Sequence, residues 1–225
     1  MSKGVGFVLL MSFAGLFSGV LTAALCGDRF SNSLGIPFGA IMAFCFAASG
    51  VTRSVSKLTC FFLATACSFY ISVFSAVEAD LAIRDLLDAV RSTAYPTSYF
   101  FGGAIGGFLV LGGAMILTER SIGLRVIGRK AFAWSLVAGA LAPIAWALGP
   151  SLGMWVWSAL HTAGVTSPMN TFSNALFGET GYGPPSSLFA LFVIWQTGVS
   201  FALGMILRNV RETPEKFPVE ELKLT

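Results

Sequence analysis

The chain has 225 residues, of which 55% are hydrophobic and only 11% are charged. Soluble domains carry about 25% charged residues, so this chain has too little charge to cover a water-facing surface of its length. The composition excludes a soluble globular protein and indicates a membrane protein that crosses the bilayer several times.

Six runs of the chain contain no charged residue and no histidine, and each is long enough to cross a membrane. A bilayer core about 30 Å thick needs about 20 apolar helical residues. The runs are continuously apolar and do not alternate as barrel strands do, so they predict helices. We therefore predict an all-α, polytopic membrane helix bundle with six transmembrane helices in one domain, residues 1–207. The predicted spans are 4–26, 34–52, 58–77, 99–117, 131–149 and 188–207.

The basic residues set the predicted orientation. With the N-terminus inside, eleven of the 14 Lys and Arg residues fall in inner segments. Basic residues are retained on the cytoplasmic side during insertion, so we expect both termini to be cytoplasmic, with 208–225 as a charged tail. The first run, 4–26, is interpreted as a span because its 23 residues exceed the core of about 7–15 residues in a signal peptide.

The segment 131–164 is too long for one crossing and too short for two. Its 34 residues are interrupted by Gly149 and Pro150 and hold one ionisable side chain, His161. A straight helix of that length measures about 51 Å. We predict a span that ends at Gly149 and then a half-helix over 150–164, opened by Pro150, which is interfacial or re-entrant. A true span there would move the basic tail outside, against the charge rule.

The charged segment 78–91 is typical of an amphipathic extension of helix three that stops before Pro96. Asp80 and Arg84 have the i,i+4 spacing of a helical ion pair. Two interpretations stay open for this segment. One is a solvated helix on the membrane surface, and the other is a docking surface for a partner.

Small residues line two of the predicted helices. Ala14, Ser18 and Thr22 form a row along helix one. In helix four, five glycines share one broad face at 100° per residue, and Gly112 lies off that face. Small residues at such spacing let helices approach closely in lipid, so we predict helix packing there, with room for a substrate or a lipid tail as the alternative. The five glycines are Gly102, Gly103, Gly106, Gly107 and Gly113.

A few polar side chains are candidate substrate ligands. Gln196 and Thr197 lie in the middle of helix six, and a buried carboxamide there needs a partner. The alternatives for Gln196 are a hydrogen bond between helices and a substrate contact in a central cavity. His161, Asn170 and Asn174, near or in the polar loop 165–187, complete the predicted substrate-binding set.

Several classes of site are missing from the sequence. No carboxylate lies inside a predicted span, which disfavours a carrier coupled to ions through buried acids. The chain has one histidine, no C-x-x-C pair, no P-loop and no dinucleotide fingerprint. We therefore expect no cofactor, no metal, no nucleic acid and no catalytic residue. The basic cluster at 125–130 suits anionic lipid headgroups.

In size and topology the chain resembles the small membrane-embedded substrate-binding subunits of vitamin uptake systems. Gln196, the glycine face of helix four and the interrupted segment 131–164 favour a small-solute transport component, for an uncharged or weakly polar substrate, with a cavity between helices four, five and six. The alternative is a non-catalytic subunit of a larger membrane complex, and a lipid-modifying enzyme is third. We expect a homo-oligomer or other membrane subunits as partners besides the lipid bilayer, and a bacterial plasma membrane rather than an organelle membrane as the location.

Overall fold

The structure is a computed structural model that describes residues 3–26, 35–87, 91–117, 124–162 and 187–212. Apart from the connection at 49–54, these residues are helical, and they contain no strand. The prediction of a helical membrane bundle is confirmed. The six helices are α1 (Lys3–Cys26), α2 (Gly35–Ala48), α3 (Val55–Leu87), α4 (Arg91–Leu117), α5 (Leu124–Thr162) and α6 (Ser187–Glu212).

Five of these helices are long and apolar enough to cross a membrane. The exception is α2, whose 14 residues extend about 21 Å, less than the hydrocarbon thickness of about 30 Å. The predicted span 34–52 is therefore longer than the helix that forms there. The stretches suited to crossing are Gly4–Thr22, Val55–Asp85, Pro96–Met115, Gly128–Gly149 and Ala190–Arg208.

A glycine ends α2 early. Gly50 has a φ of 72°, a left-handed conformation that only glycine adopts without steric cost. Its N–H donates to the Ala47 carbonyl at 3.2 Å, and the Val51 N–H donates to the Phe46 carbonyl at 3.0 Å. This pair of hydrogen bonds is the Schellman motif, and the Val51 side chain packs on the core as that motif favours. The chain then turns into α3 at Val55.

Four helices extend well beyond their predicted spans. α4 begins at Arg91, eight residues before the predicted start at 99. α3 runs through Leu87, which confirms that the charged segment extends helix three. α5 runs without a break from Leu124 to Thr162, so the structure differs from the predicted half-helix at Pro150. Proline removes one backbone hydrogen bond, and membrane helices tolerate that loss when neighbouring groups compensate. α6 continues to Glu212, so the first residues of the predicted tail are helical.

The helices form a closed ring in chain order. Each helix packs against its neighbours along the chain, and α6 packs against α1 to close the ring. Successive helices run antiparallel, because early residues of one lie beside late residues of the next. The α4–α5 contact shows this, since Gly103 lies beside Ala142 and Gly107 beside Ala138. The closing contact between α1 and α6 is antiparallel too, because Gly19 lies beside Val193. The closed ring therefore places the start of α1 beside the end of α6.

Three aromatic side chains fill the middle of the ring, and we call them the aromatic centre: Phe38 of α2, Phe69 of α3 and Trp195 of α6. The ring centroids of Phe38 and Phe69 are 5.7 Å apart, and Trp195 meets Phe69 edge-on at 5.1 Å. Such arrangements add about 0.5–1.5 kcal/mol per pair beyond burial. The aromatic centre therefore ties three helices together at one level of the bundle.

The glycine face of α4 packs against two neighbouring helices, α3 and α5. A Cβ built on Gly102 would lie 2.9 Å from the Ala76 Cβ of α3, and Gly106 is equally close to Ser72. On the other side, Cβ atoms on Gly103 and Gly107 would lie 2.8 and 2.7 Å from Ala142 and Ala138 of α5. Gly113 leaves an ordinary 3.8 Å to Ala64, and Gly112 has nothing within 4 Å. Both interfaces depend on missing side chains.

Candidate functional site

A cavity of about 420 Å³ opens between α3, α4 and α6. This volume falls in the range of about 300–1,000 Å³ that small-molecule sites occupy. Most of the cavity wall is aromatic or aliphatic. The lining includes Phe69, Val73, Val77, Asp80 and Leu81 of α3, Ser98, Tyr99 and Gly102 of α4, Ala142 of α5, and Leu191, Phe192 and Trp195 of α6.

The position of the cavity follows from the shortness of α2. The first residue of α2, Gly35, packs so closely on α3 that a Cβ there would lie 2.6 Å from the Ala66 Cα. The cavity begins at Phe69, about one turn further along α3. At its mouth, Val77 and Leu81 are half exposed. In the predicted orientation this is the outer half of the membrane.

The floor of the cavity belongs to the aromatic centre. Trp195 is 5% exposed, and its indole Nε1 donates to the Gly103 carbonyl at 3.3 Å. A Cβ on Gly106 would lie 3.3 Å from the indole ring, so glycine at this position makes room for Trp195. The indole N–H already has its acceptor. The floor therefore offers an apolar surface held in a fixed orientation.

The cavity has polar groups near its floor, at Ser72, and near its mouth, at Asp80. The Ser72 hydroxyl donates to the Gly102 carbonyl at 2.6 Å. Asp80 Oδ2 pairs with Arg84 Nη2 at 2.5 Å, and the two side chains are 18% and 31% exposed. The second carboxylate oxygen, Asp80 Oδ1, is buried and accepts no hydrogen bond from the residues that the structure describes. The cavity thus combines an apolar body with the Asp80–Arg84 ion pair at its mouth.

Gln196 and Thr197 do not line this cavity. Gln196 is fully buried; its Oε1 accepts from the Ser18 hydroxyl, and its Nε2 donates to the Thr22 hydroxyl at 3.2 Å. The Thr197 hydroxyl donates to the Val193 carbonyl of its own helix at 2.6 Å. The row of small residues on α1 therefore supplies the partners of Gln196. Of its two interpretations, the structure shows the hydrogen bond between helices.

The side chains of the other predicted ligands are outside the described part of the chain. His161 lies at the end of α5, and its side chain is outside the part of the chain that the structure describes, as are Asn170 and Asn174. The predicted cavity used helices four, five and six, whereas α3 forms one wall of the observed one. Sequence reasoning missed that wall. The sequence indicated α3 only through the i,i+4 spacing of Asp80 and Arg84, which predicts an ion pair on that helix.

Replacing Gln196 with leucine is expected to destabilise the α1–α6 contact by about 0.6–2 kcal/mol, the range measured for hydrogen bonds between membrane helices. The change leaves the Ser18 and Thr22 hydroxyls without their carboxamide partner. An SDS titration followed by circular dichroism measures the loss. Thr197→Val is the control, because that hydroxyl bonds only within α6. Equal stability of the two variants would contradict this role of Gln196.

Neither metal ligands nor relatives point to a function. The described residues contain no group of three or more His, Cys, Asp or Glu side chains that would hold a metal ion, and Cys45, Cys60 and Cys67 are free. No family model, no curated protein and no solved structure matches the chain.

Proposed function

We propose that this protein is a small-solute transport component that binds an uncharged, largely apolar molecule in the cavity between α3, α4 and α6. The observation that carries the proposal is the cavity itself, about 420 Å³ with an almost entirely apolar wall. Large, well-formed apolar pockets with a few polar groups are the usual small-molecule sites of proteins.

The polarity of the wall argues for an apolar solute. Phe69, Phe192 and Trp195 supply aromatic surface, and the Trp195 N–H and the Ser72 hydroxyl already donate hydrogen bonds within the protein. A solute rich in polar groups would lose its hydration there without gaining partners, which costs about 1–3 kcal/mol per group. An apolar solute has no polar groups whose hydration would be lost in the cavity.

The mouth of the cavity argues for entry from the membrane. Val77 and Leu81 are 51% and 50% exposed, and both lie within or at the end of a stretch suited to crossing the bilayer. An apolar solute is concentrated in lipid for the same reason that it favours the cavity, because water is excluded from both. We propose that the solute enters sideways between α3 and its neighbours.

Blocking the mouth is expected to remove the bound molecule. In the double variant Val77→Phe/Leu81→Phe we expect about tenfold less ligand, because overpacking costs about 1–3 kcal/mol and 1.4 kcal/mol is tenfold. The measurement is mass spectrometry of small molecules extracted from purified protein, per mole of protein. The control Ile71→Phe/Leu63→Phe alters two exposed apolar residues of α3 outside the cavity. Equal amounts in all three proteins, or none in any, would refute the proposal.

A non-catalytic subunit of a larger membrane complex is the second candidate function, and a lipid-modifying enzyme is the third. The mass of the particle purified through a C-terminal tag distinguishes a solute transport component from a subunit of a larger complex. Stoichiometric foreign subunits favour the complex, whereas a lone chain or homo-oligomer favours solute binding. We propose a bacterial plasma membrane as the location, with which the charge asymmetry of the loops is compatible.

A further inference from the structure

We propose that α5 and α6 form a binding site for an anionic phospholipid at the end of the bundle where α1 begins, which we call the inner end. The phosphate lies between Lys130 and Arg208, and the acyl chains lie against Trp134 and Phe201. This site is separate from the solute cavity, and it does not depend on the proposed function.

The described charged side chains are divided between the two ends of the bundle. Because successive helices are antiparallel, α3 and α5 begin at the inner end and α6 finishes there. Five of the six described basic side chains lie at the inner end, and the described acidic ones lie with Arg84 in the far half of α3. The five are Arg53, Lys57, Arg129, Lys130 and Arg208, and the acids are Glu78, Asp80 and Asp85. In the predicted orientation the inner end faces the cytoplasmic leaflet, whose anionic lipids give it a negative surface potential.

An aromatic contact aligns α5 with α6 near the inner end. The ring centroids of Trp134 and Phe201 are 6.2 Å apart, and the rings meet edge-on. Further from the inner end, a Cβ on Gly198 would contact the Leu141 side chain. The two helices therefore run antiparallel along this contact. Phe201 is 41% exposed, so this side of the α5–α6 contact is open to the surrounding lipid.

Lys130 and Arg208 lie on the same faces of their helices as the aromatic pair. Lys130 is four residues before Trp134, and Arg208 is seven residues after Phe201. These spacings are about one and two helical turns, so each basic side chain leaves its helix on the side where the rings meet. They lie about 6 and 10 Å nearer the inner end than the rings. Lys130 is exposed, as is its neighbour Arg129, and Arg208 is partly buried.

This arrangement supplies both parts of a phospholipid site. Lysine and arginine donate charge-assisted hydrogen bonds to phosphate oxygens, and basic groups between membrane helices on the cytoplasmic side bind anionic headgroups. Tryptophan favours the depth just below the headgroups, which is where Trp134 lies relative to Lys130. A zwitterionic headgroup brings a cation of its own, which the two basic side chains repel. The site therefore selects an anionic lipid.

Native mass spectrometry of the full chain in detergent tests the inference. The protein is titrated with dioleoyl phosphatidylglycerol, which is anionic, and with dioleoyl phosphatidylcholine, which has the same acyl chains and no net charge. Glycerol phosphate serves as a competitor that has the phosphate but no chains. The test variant is Lys130→Gln/Arg208→Gln. The matched control, Arg53→Gln/Lys57→Gln, removes two basic side chains from the same end of the bundle, but from the beginning of α3.

We expect phosphatidylglycerol to bind the wild-type protein more tightly than phosphatidylcholine, and to bind about 25-fold more weakly to Lys130→Gln/Arg208→Gln. Each basic side chain near a membrane surface contributes about fivefold. The control variant should keep the wild-type affinity, and phosphatidylcholine should bind all the proteins alike. Lys130→Gln alone changes an exposed side chain and should weaken phosphatidylglycerol about fivefold, so it gives the answer if the double variant does not fold.

Three results would overturn the inference. If both double variants lose phosphatidylglycerol equally, the charge of the whole inner end attracts the lipid and α5 and α6 form no site. Equal affinity of the two lipids for the wild type, or wild-type affinity in Lys130→Gln, would exclude a phosphate contact. Displacement of the lipid by equimolar glycerol phosphate would make the ligand a free phosphate compound instead of a lipid. None of these results bears on the solute cavity, which α3, α4 and α6 form in the other half of the bundle.

Discussion

Gly19→Leu is expected to disrupt the packing of α1 against α6 and to destabilise the protein by about 3 kcal/mol or more, the upper end of overpacking effects. A Cβ on Gly19 would lie 2.7 Å from the Val193 Cα and 2.9 Å from the Phe192 carbonyl oxygen. Both are backbone atoms, so no side-chain rotation relieves the clash. The α1–α6 contact also closes the ring, and its loss would open the bundle.

Gly6→Leu is the matched control for this experiment. Gly6 lies on the same helix, and a Cβ there meets nothing within 4 Å. We expect the control to unfold at the wild-type SDS concentration and Gly19→Leu to unfold at a lower one, or to elute as an aggregate on size exclusion in mild detergent. If both variants behave alike, α1 does not pack on α6 through Gly19.

Trp195→Ala is the second large effect, an expected loss of about 3–5 kcal/mol for removing a buried aromatic side chain. The indole contacts Phe38 and Phe69 and donates to the Gly103 carbonyl. Its removal merges the space that it fills with the cavity next to it. Thermal unfolding monitored by size exclusion in detergent measures the change, with Trp155→Ala as the control because Trp155 is 71% exposed.

Trp195→Phe separates packing from hydrogen bonding at the same position. Phenylalanine retains most of the contacts to Phe38 and Phe69 but leaves the Gly103 carbonyl without its indole donor. We expect a loss of about 1 kcal/mol, typical of one hydrogen bond, well below that of the alanine variant. Equal losses in Trp195→Ala, Trp195→Phe and Trp155→Ala would show that the aromatic centre does not hold the bundle together.

Much of the fold was predictable because lipid imposes simple requirements on a sequence. A chain in hydrocarbon must satisfy its backbone hydrogen bonds locally, so long uncharged runs become helices wherever they occur. The continuation of α3 past residue 77 was predictable for a similar reason, since Asp80 and Arg84 have helical i,i+4 spacing and form an ion pair in the structure. Composition and residue spacing involve only positions that are close in the sequence, so they can be assessed without the tertiary structure.

The early end of α2 was within reach of the sequence but was missed. Gly50 follows Ser49 near the end of an apolar run, and glycine there is a common signal for a helix C-terminus. The apolar residues on both sides of it concealed the signal. The continuity of α5 through Pro150 was missed for the opposite reason, because proline usually breaks helices in water and is tolerated more often in membranes.

The sequence by itself determined that this is a helical membrane protein and where most of its helices lie. It also determined which face of α4 carries small residues. Only the tertiary structure decided which neighbours those faces meet, that Gln196 bonds to α1, and that the cavity lies between α3, α4 and α6. The physical reason is that the residues that meet in the structure are far apart along the chain. Phe69, Tyr99 and Trp195 meet at one cavity because the ring of helices closes, and no local pattern records which helices become neighbours.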